Sequence, residues 1–466
     1  MDRERRPYRA LKLNQRRREL LKALGLAGLG FGLGMLAERA IAHPQIERYY
    51  LHKYSGVEPY SYTVFREGDM YYAKNGKTGE VFEDDDASEV IQSALNSIER
   101  GIVYVKCDVE LYSGIHIGGW KGLVFEWGRR ISLKSDLDTP VIYTHTSQPD
   151  YVANPILLKN VWIGGGGHTV PEAIRIHAWN SVIEDINIVN ISGTGLLLQN
   201  AKNNTVVNTK LRNIRIVSVD GIALDTAVAT DFQVEQLELN GTTGWRINAV
   251  RLEGSDIHIY GGDIGIHLQG AKFTKLTNVQ LSGMNTAGIY SEAYNSDLQI
   301  KNLCMWDIKG KLIHLAGIST RWAGGLEIDG LKIVYEDVDP SSKTVPEIHL
   351  QYPHDPVIIK GIWSRGGWAP TFVTVENPQT GYELRLEGER VSNKGIATFS
   401  GDGSTTTFNI EHGLVSTPSK YGVTPLTPDA DASRTITVDD TYITITFDTA
   451  PPSGTDNVKF GWWAEV

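Results

Sequence analysis

Seven times between residues 174 and 316 the chain runs an apolar alternation into an alanine. The first copy is Ile174-Arg175-Ile176-His177-Ala178. Leu198 to Ala201, Leu224 to Ala227, Ile247-Asn248-Ala249, Leu268 to Ala271, Ile289 to Ala293 and Ile313 to Ala316 follow. The spacing stays near 22 to 23 residues, with one step of 26. A second alternation recurs in each repeat: Ile186-Asn187-Ile188, Ile214-Arg215-Ile216, Leu237-Glu238-Leu239, Ile257-His258-Ile259, Val279-Gln280-Leu281, Leu303-Cys304-Met305 and Leu331-Lys332-Ile333. Period-two alternation is the signature of strands with one buried face. Before each second alternation stands Asp185, Asn213, Gln236, Asp256, Asn278, Asn302 or Gly330. Most of these residue types tolerate the left-handed backbone that a sharp turn between strands demands. Such a repeat predicts an all-β solenoid, a parallel β-helix whose inward Ile, Leu and Val stack rung upon rung. The leucine-rich consensus is absent, and a propeller needs roughly 40 or more residues per blade.

The sequence changes character at both ends of the repeats. Asp86-Ala87-Ser88-Glu89 reads as a helix start. Val90, Ile91, Ala94, Leu95 and Ile98 then fall on one helical face, and Gly101 marks the stop. A helix placed there would cover the open end of the solenoid. Between 340 and 390 the period is lost among several prolines, which predicts irregular last rungs. Beyond about residue 391 short Thr-rich strands predict a small β-sandwich-like domain. The chain therefore divides into 1–42, a lead-in 43–85, a β-helix 86–390 and a C-terminal β module 391–466.

Residues 1–42 read as an export signal. A basic run, Arg16-Arg17-Arg18-Glu19-Leu20-Leu21-Lys22, precedes an uncharged stretch from Ala23 to Ala37, then Ala40-Ile41-Ala42 and His43. The apolar core is short for a membrane span, which needs about 20 residues. Arg17 and Arg18 before Leu20-Leu21-Lys22 resemble the twin-arginine export motif, with cleavage between Ala42 and His43. Uncleaved, the same segment is the only membrane contact that the sequence offers. The destination implied is the cell surface or extracellular space. The remainder carries 35 basic and 51 acidic residues, which argues against nucleic acid as a partner. Cys107 and Cys304 lie many rungs apart and are not expected to pair.

The helix and strand from Asp86 to Val105, followed by about ten rungs, resemble the right-handed parallel β-helix of the pectin lyase-like superfamily, in particular its exported archaeal members. Ser61 to Asp69 and Tyr72 to Gly79 are similar to the lead-in of those proteins. Phe408-Asn409-Ile410-Glu411-His412-Gly413-Leu414 and Trp462-Trp463-Ala464-Glu465-Val466 resemble a small β module at the ends of archaeal surface proteins and viral fibres. The resemblance implies a polysaccharide or cell-surface glycan as partner. It does not fix an activity, because such folds host lyases, hydrolases, epimerases and inert spikes. Spikes of this build are commonly trimers.

These reactions make checkable demands. A glycosidase needs two carboxyl groups about 5 to 9.5 Å apart. A lyase needs a base near a sugar C–H and cationic help, from calcium or from Arg and Lys. The positions beside the alanines read His177, Gln199, Asp225, Asn248, Gln269 and Glu292. Asp225 and Glu292 would stand three rungs apart, about 14 Å, too far to act as a pair. The neighbouring column holds Arg175, Arg246, His267 and His314. Asp225, Arg246 and His267 are the candidate catalytic cluster. Arg175, His177, Glu292, Trp179 and Trp245 are candidate glycan contacts, the tryptophans because aromatic faces stack on sugar rings. The hydrolase tripeptides of the superfamily are missing. Gly167-His168-Thr169 echoes one of them only in part, and Arg175-Ile176-His177 lacks the lysine of another. No zinc-ligand spacing occurs, no cofactor is expected, and calcium is the one metal that the lyase chemistry would recruit. Two functions fit: an exported protein that binds polysaccharide along the solenoid face, with or without cleaving it as a lyase or glycosidase, or a non-catalytic surface spike with a β-helix stalk and an adhesive C-terminal module.

Overall fold

The computed structural model describes residues 60–144, 155–199, 206–292, 295–317 and 325–466. Arg17, Arg18, Ala42 and His43 lie outside them. The described chain is almost entirely β, with one α-helix, a parallel solenoid of about ten rungs and two small antiparallel sheets at its C-terminal end.

Each regular rung crosses three strand faces. On the first face Ile174 stands beside Leu196, which stands beside Leu224. Further on, Trp245, Ile266, Ile289, Ile313 and Ile348 are in register. On the second face Glu253, Lys275, Gln299 and Glu327 form one outward column. On the third, Ile186 pairs with Ile214, and Ile257, Val279, Leu303 and Leu331 continue the inward column. These aliphatic columns are almost wholly buried and form one continuous core. The irregular stretch after residue 340 keeps this register: Ile348–Gln351 and Val357–Arg365 pair in parallel with the preceding rung.

The corner between the second and third faces is one residue wide. Asp185, Asn213, Gln236, Asp256, Asn278, Asn302 and Gly330 all occupy it with φ between +52° and +85°. Side-chain amides bridge rungs there, Asn213 to Asp185 at 2.7 Å, Asn278 to Asp256 at 3.0 Å and Asn302 to Asn278 at 3.0 Å. Each such bond contributes about 1 kcal/mol net. Gln236 takes the left-handed turn without extending the amide ladder.

A short antiparallel set, β1 (Tyr62–Glu67), β2 (Met70–Asn75) and β3 (Val81–Asp84), begins the described chain. β1 pairs in parallel with β4 (Gly101–Val105) and so starts the stack. Gly101 has φ +143°, and a Cβ there would fall 2.0 Å from Ser61 Oγ, so the close approach requires glycine. Helix α1 (Ala87–Ser97) starts where Asp86 accepts from the Ser88 amide at 2.8 Å. Its Val90, Ile91, Ala94 and Leu95 are buried against the first rung. From α1, the Gln92 side chain bonds the backbone of His116, its Nε2 donating to the carbonyl at 3.1 Å and its Oε1 accepting from the amide at 2.8 Å. The side chain thus substitutes for the missing neighbouring strand.

At the far end, Ser392–Gly401 and Lys420–Pro425 flank Gly454–Glu465 in one sheet, and Thr407–Glu411, Tyr442–Phe447 and Arg434–Val438 form the other. Phe408, Ile445, Phe447 and Phe460 fill the space between them. The Val415 amide bonds the Arg390 carbonyl at 2.8 Å and the Val466 amide bonds Val391 at 3.0 Å, so this module is tied to the last rung. Cys107 and Cys304 are both unbridged. Among the described residues no helix is long and apolar enough to cross a membrane.

Candidate functional site

From Arg175 to His349 the outward column of the first face carries an ionisable or aromatic side chain on seven of eight successive rungs. Arg175 stands beside Leu197 and Leu197 beside Asp225. Arg246, His267, Tyr290, His314 and His349 then follow one per rung. Asp225 and Arg246 form a two-point ion pair, with Arg246 Nε donating to Asp225 Oδ1 at 3.0 Å and a second bond from Nη2 to Oδ2. The three candidate catalytic residues are therefore brought onto successive rungs, about 5 Å apart each.

Their setting differs from a solvated face. Asp225 is only 2% exposed. It also leaves the column in which the alanine spacing places it: Leu197, not Gln199, is its neighbour, and Ala227 pairs with Gln199. The reason is Thr226, which fills the inward slot that Leu198 fills one rung earlier. Its hydroxyl satisfies itself by donating to the Arg246 carbonyl at 3.0 Å.

Beyond Arg246 the column becomes a stack of rings. Centroids are 5.1 Å apart from His267 to Tyr290, 5.2 Å from Tyr290 to His314 and 5.0 Å from His314 to His349. The His314 and His349 rings lie parallel and the other two pairs are tilted by 50° and 57°. The ring edges carry the imidazole nitrogens and the phenol oxygen, of which His267 Nε2 and His349 Nδ1 are buried. A parallel column supplies carboxylates and amides to those edges. Glu292 Oε1 is 3.2 Å from His267 Nε2, but out of line for an aligned hydrogen bond. Gln269 Nε2 donates to Glu292 at 3.0 Å. Glu376 takes His349 Nε2 at 2.8 Å and Gln351 Nε2 at 2.9 Å.

Burial sets the protonation states. It pushes the His267 pKa down, against the nearby Glu292 carboxylate, which raises it. It pushes His314 down to about 4, helped by the Lys311 ammonium. Burial, with Glu292 adding to it, raises the Tyr290 phenol. The Asp225 hydrogen bond raises Arg246 above its already high value. Near neutral pH the stripe thus presents neutral imidazoles at His267 and His314, a protonated phenol at Tyr290 and a fixed guanidinium at Arg246. A neutral imidazole accepts a proton, a guanidinium neutralises a developing anion, and a phenol donates one.

The remaining candidates separate. Arg175 is engaged by Glu172 through bonds of 2.8 and 2.7 Å, two rungs from Asp225. Glu292 is exposed and belongs to the stripe. His177 is fully buried and cannot meet a glycan; its amide is held by Thr144 Oγ1 at 2.7 Å. Trp245 is likewise fully buried, an inward residue in register with Ile266, and so a core side chain rather than a stacking platform. Trp179 is half-buried at the turn beyond the first face. Tyr290, His349 and Glu376 escape a reading based on the alanine spacing. Their signal is the frame Ile289-Tyr290-Ser291 and Ile348-His349-Leu350, which matches Ile266-His267-Leu268. Among the described residues no group of three or more His, Cys, Asp or Glu is placed to hold a metal.

No family model matches the chain, and no curated protein matches it in sequence. Among solved structures it is similar to the tailspike protein gp49 from Pseudomonas phage LKA1, at 10% identity and a TM-score of 0.52, over 81% of this chain and 93% of that one. It is also similar to the tailspike protein of E. coli bacteriophage HK620 solved with a hexasaccharide, at 9% identity and a TM-score of 0.49, over 82% and 89%. A third is PfbA, a surface protein and adhesin of Streptococcus pneumoniae, at 12% identity and a TM-score of 0.44, over 65% and 96%. At these identities the likeness establishes the β-solenoid fold alone.

Proposed function

We propose that this chain is an exported glycan-binding protein whose first-face stripe holds the glycan, and that the stripe is equipped for cleavage by elimination. The observation that carries this reading is the adjacency of a carboxylate-anchored Arg246 and a neutral His267. Hydrolysis fits less well, because the exposed acids Glu292 and Glu376 lie three rungs apart, about 14 Å. Elimination needs one base and one cation. Because His267 Nε2 is buried beside Glu292, it is His267 Nδ1 that takes the proton on the carbon next to a uronate carboxylate, and Arg246 faces that carboxylate. The C–H electron pair becomes a C=C bond as the glycosidic C–O bond breaks, and the leaving oxygen takes a proton from the Tyr290 hydroxyl. Asp225 holds Arg246 in place rather than touching the sugar. Membership of the pectin lyase-like superfamily, its exported archaeal branch and twin-arginine export to the cell surface belong to the same proposal.

A second reading is favoured by the mutual pairing of these groups, Arg246 with Asp225 and His349 with Glu376. In it the chain is a non-catalytic, trimeric spike or adhesin. Incubating the mature protein with polygalacturonate, alginate and hyaluronan separates the two. Ultraviolet absorbance of an unsaturated product, lost in His267→Ala, supports elimination. Binding without product supports the adhesin, and neither binding nor product on any uronate glycan overturns the glycan reading.

A further inference from the structure

A second feature lies on another face. Seven successive rungs open their second face with a residue in the left-handed conformation: Asn180, Asn208, Asp231, Arg251, Phe273, Asp297 and Gly325, with φ between +51° and +66°. Six of these are polar or glycine. Phe273 is not: it holds φ +51° and is 55% exposed. A bulky residue there is strained, and more than half of its surface stays exposed. Strain retained at an exposed aromatic points to function.

The ring lines an open groove of about 540 Å³. Lys275 and Glu253, side by side in register, line it together with Gln299 and the Arg251–Asp231 ion pair, whose closest contact is 2.7 Å. Lys275 and Glu253 are both exposed. Charges of both signs line the groove together, so it does not select a polyanion. An apolar ring face beside interleaved donors and acceptors matches a ligand with apolar C–H faces and many hydroxyls that both give and accept hydrogen bonds.

We infer that this groove is a second glycan site, specific for a neutral saccharide stacked on Phe273, distinct from the stripe and independent of the stripe's chemistry. On one solenoid, two weak sites engage a long glycan with an avidity that neither has alone.

The test uses the full mature chain with cellohexaose, laminarihexaose and chitohexaose as neutral probes, by calorimetry and saturation-transfer NMR. At least one probe is expected to bind with Kd near about 1 mM or tighter. Phe273→Gly is expected to weaken that binding at least about tenfold while raising the melting midpoint by about 2 °C, because glycine relieves the strained turn. A merely structural phenylalanine would instead lower the midpoint on replacement. Phe273→Trp should retain binding. His267→Ala should leave it unchanged, which separates this site from the stripe. No binding of any of the three probes overturns the proposal, as does unchanged affinity in Phe273→Gly. Capture of a peptide in place of a saccharide overturns it too.

Discussion

Arg246 reaches across one rung and grips the nearly buried Asp225 with two hydrogen bonds, so the guanidinium of the stripe is fixed in place before any ligand arrives. Arg246→Met would leave that carboxylate buried and uncompensated, at a cost of about 3 kcal/mol. Asp225→Asn would cost less, and the double variant is expected to reveal a coupling of about 2 kcal/mol by urea denaturation. A coupling near zero would mean that the pair does not hold Arg246.

Glu292 and His267 make a second dependence. The carboxylate raises the imidazole pKa that burial depresses, so Glu292→Gln should lower it further. The acid limb of any elimination activity would then move to lower pH. Proton NMR of the His267 ring reads the same shift without requiring turnover. An upward shift would mean that the Glu292 carboxylate does not raise the His267 pKa.

How much of this was legible in the sequence depends on the residue. The left-handed corner was readable from Asp185 to Gly330, because few side chains tolerate that backbone. The inward columns were readable from alternation, and the same alternation marks Trp245 as inward, two residues before Ile247. The stripe was partly hidden. Thr226 occupies an inward slot with a polar side chain, which displaced Asp225 by two positions in the sequence reading. His177 shows a different limit: parity says which side of a sheet a residue faces, not what lies over it. His349 was missed because the prolines near it suggested that the register had ended, although the strands continue.

His314 gives the fold a pH dependence. Its pKa is depressed to about 4 from 6.5, first by burial and then by Lys311. As pH falls, the unfolded chain takes this proton before the folded one does. The contribution is complete above 6.5 and is lost as pH falls toward about 4. Urea midpoints measured from about pH 7.5 down to about pH 4.5 should decline, and His314→Gln should flatten the slope. An unchanged slope would remove His314 as the cause.

A buried ionic cluster near the last rungs should be the most sensitive part of the solenoid. Lys343 Nζ lies 2.6 Å from Glu347 Oε2, with side chains 3% and 1% exposed. The Tyr335 hydroxyl also donates to Glu347. Glu347→Gln leaves the ammonium without its counter-charge and should cost about 3–5 kcal/mol. Replacing all three groups with apolar side chains, as Y335F/K343M/E347L, should cost less than that single change. A larger loss in the triple variant would show that the cluster is worth more than its apolar replacement.

Gln92 has a consequence beyond stability. By occupying the strand edge at His116 it denies that edge to the rungs of another copy, while the C-terminal module is tied to the opposite end. Between two such stoppers, rungs act as interchangeable length units. Adding or removing one whole rung would change the solenoid by about 4.8 Å and the stripe by a single side chain, leaving both ends as they are. The number of side chains in the stripe is therefore a quantity that evolution or an engineer can count out rung by rung.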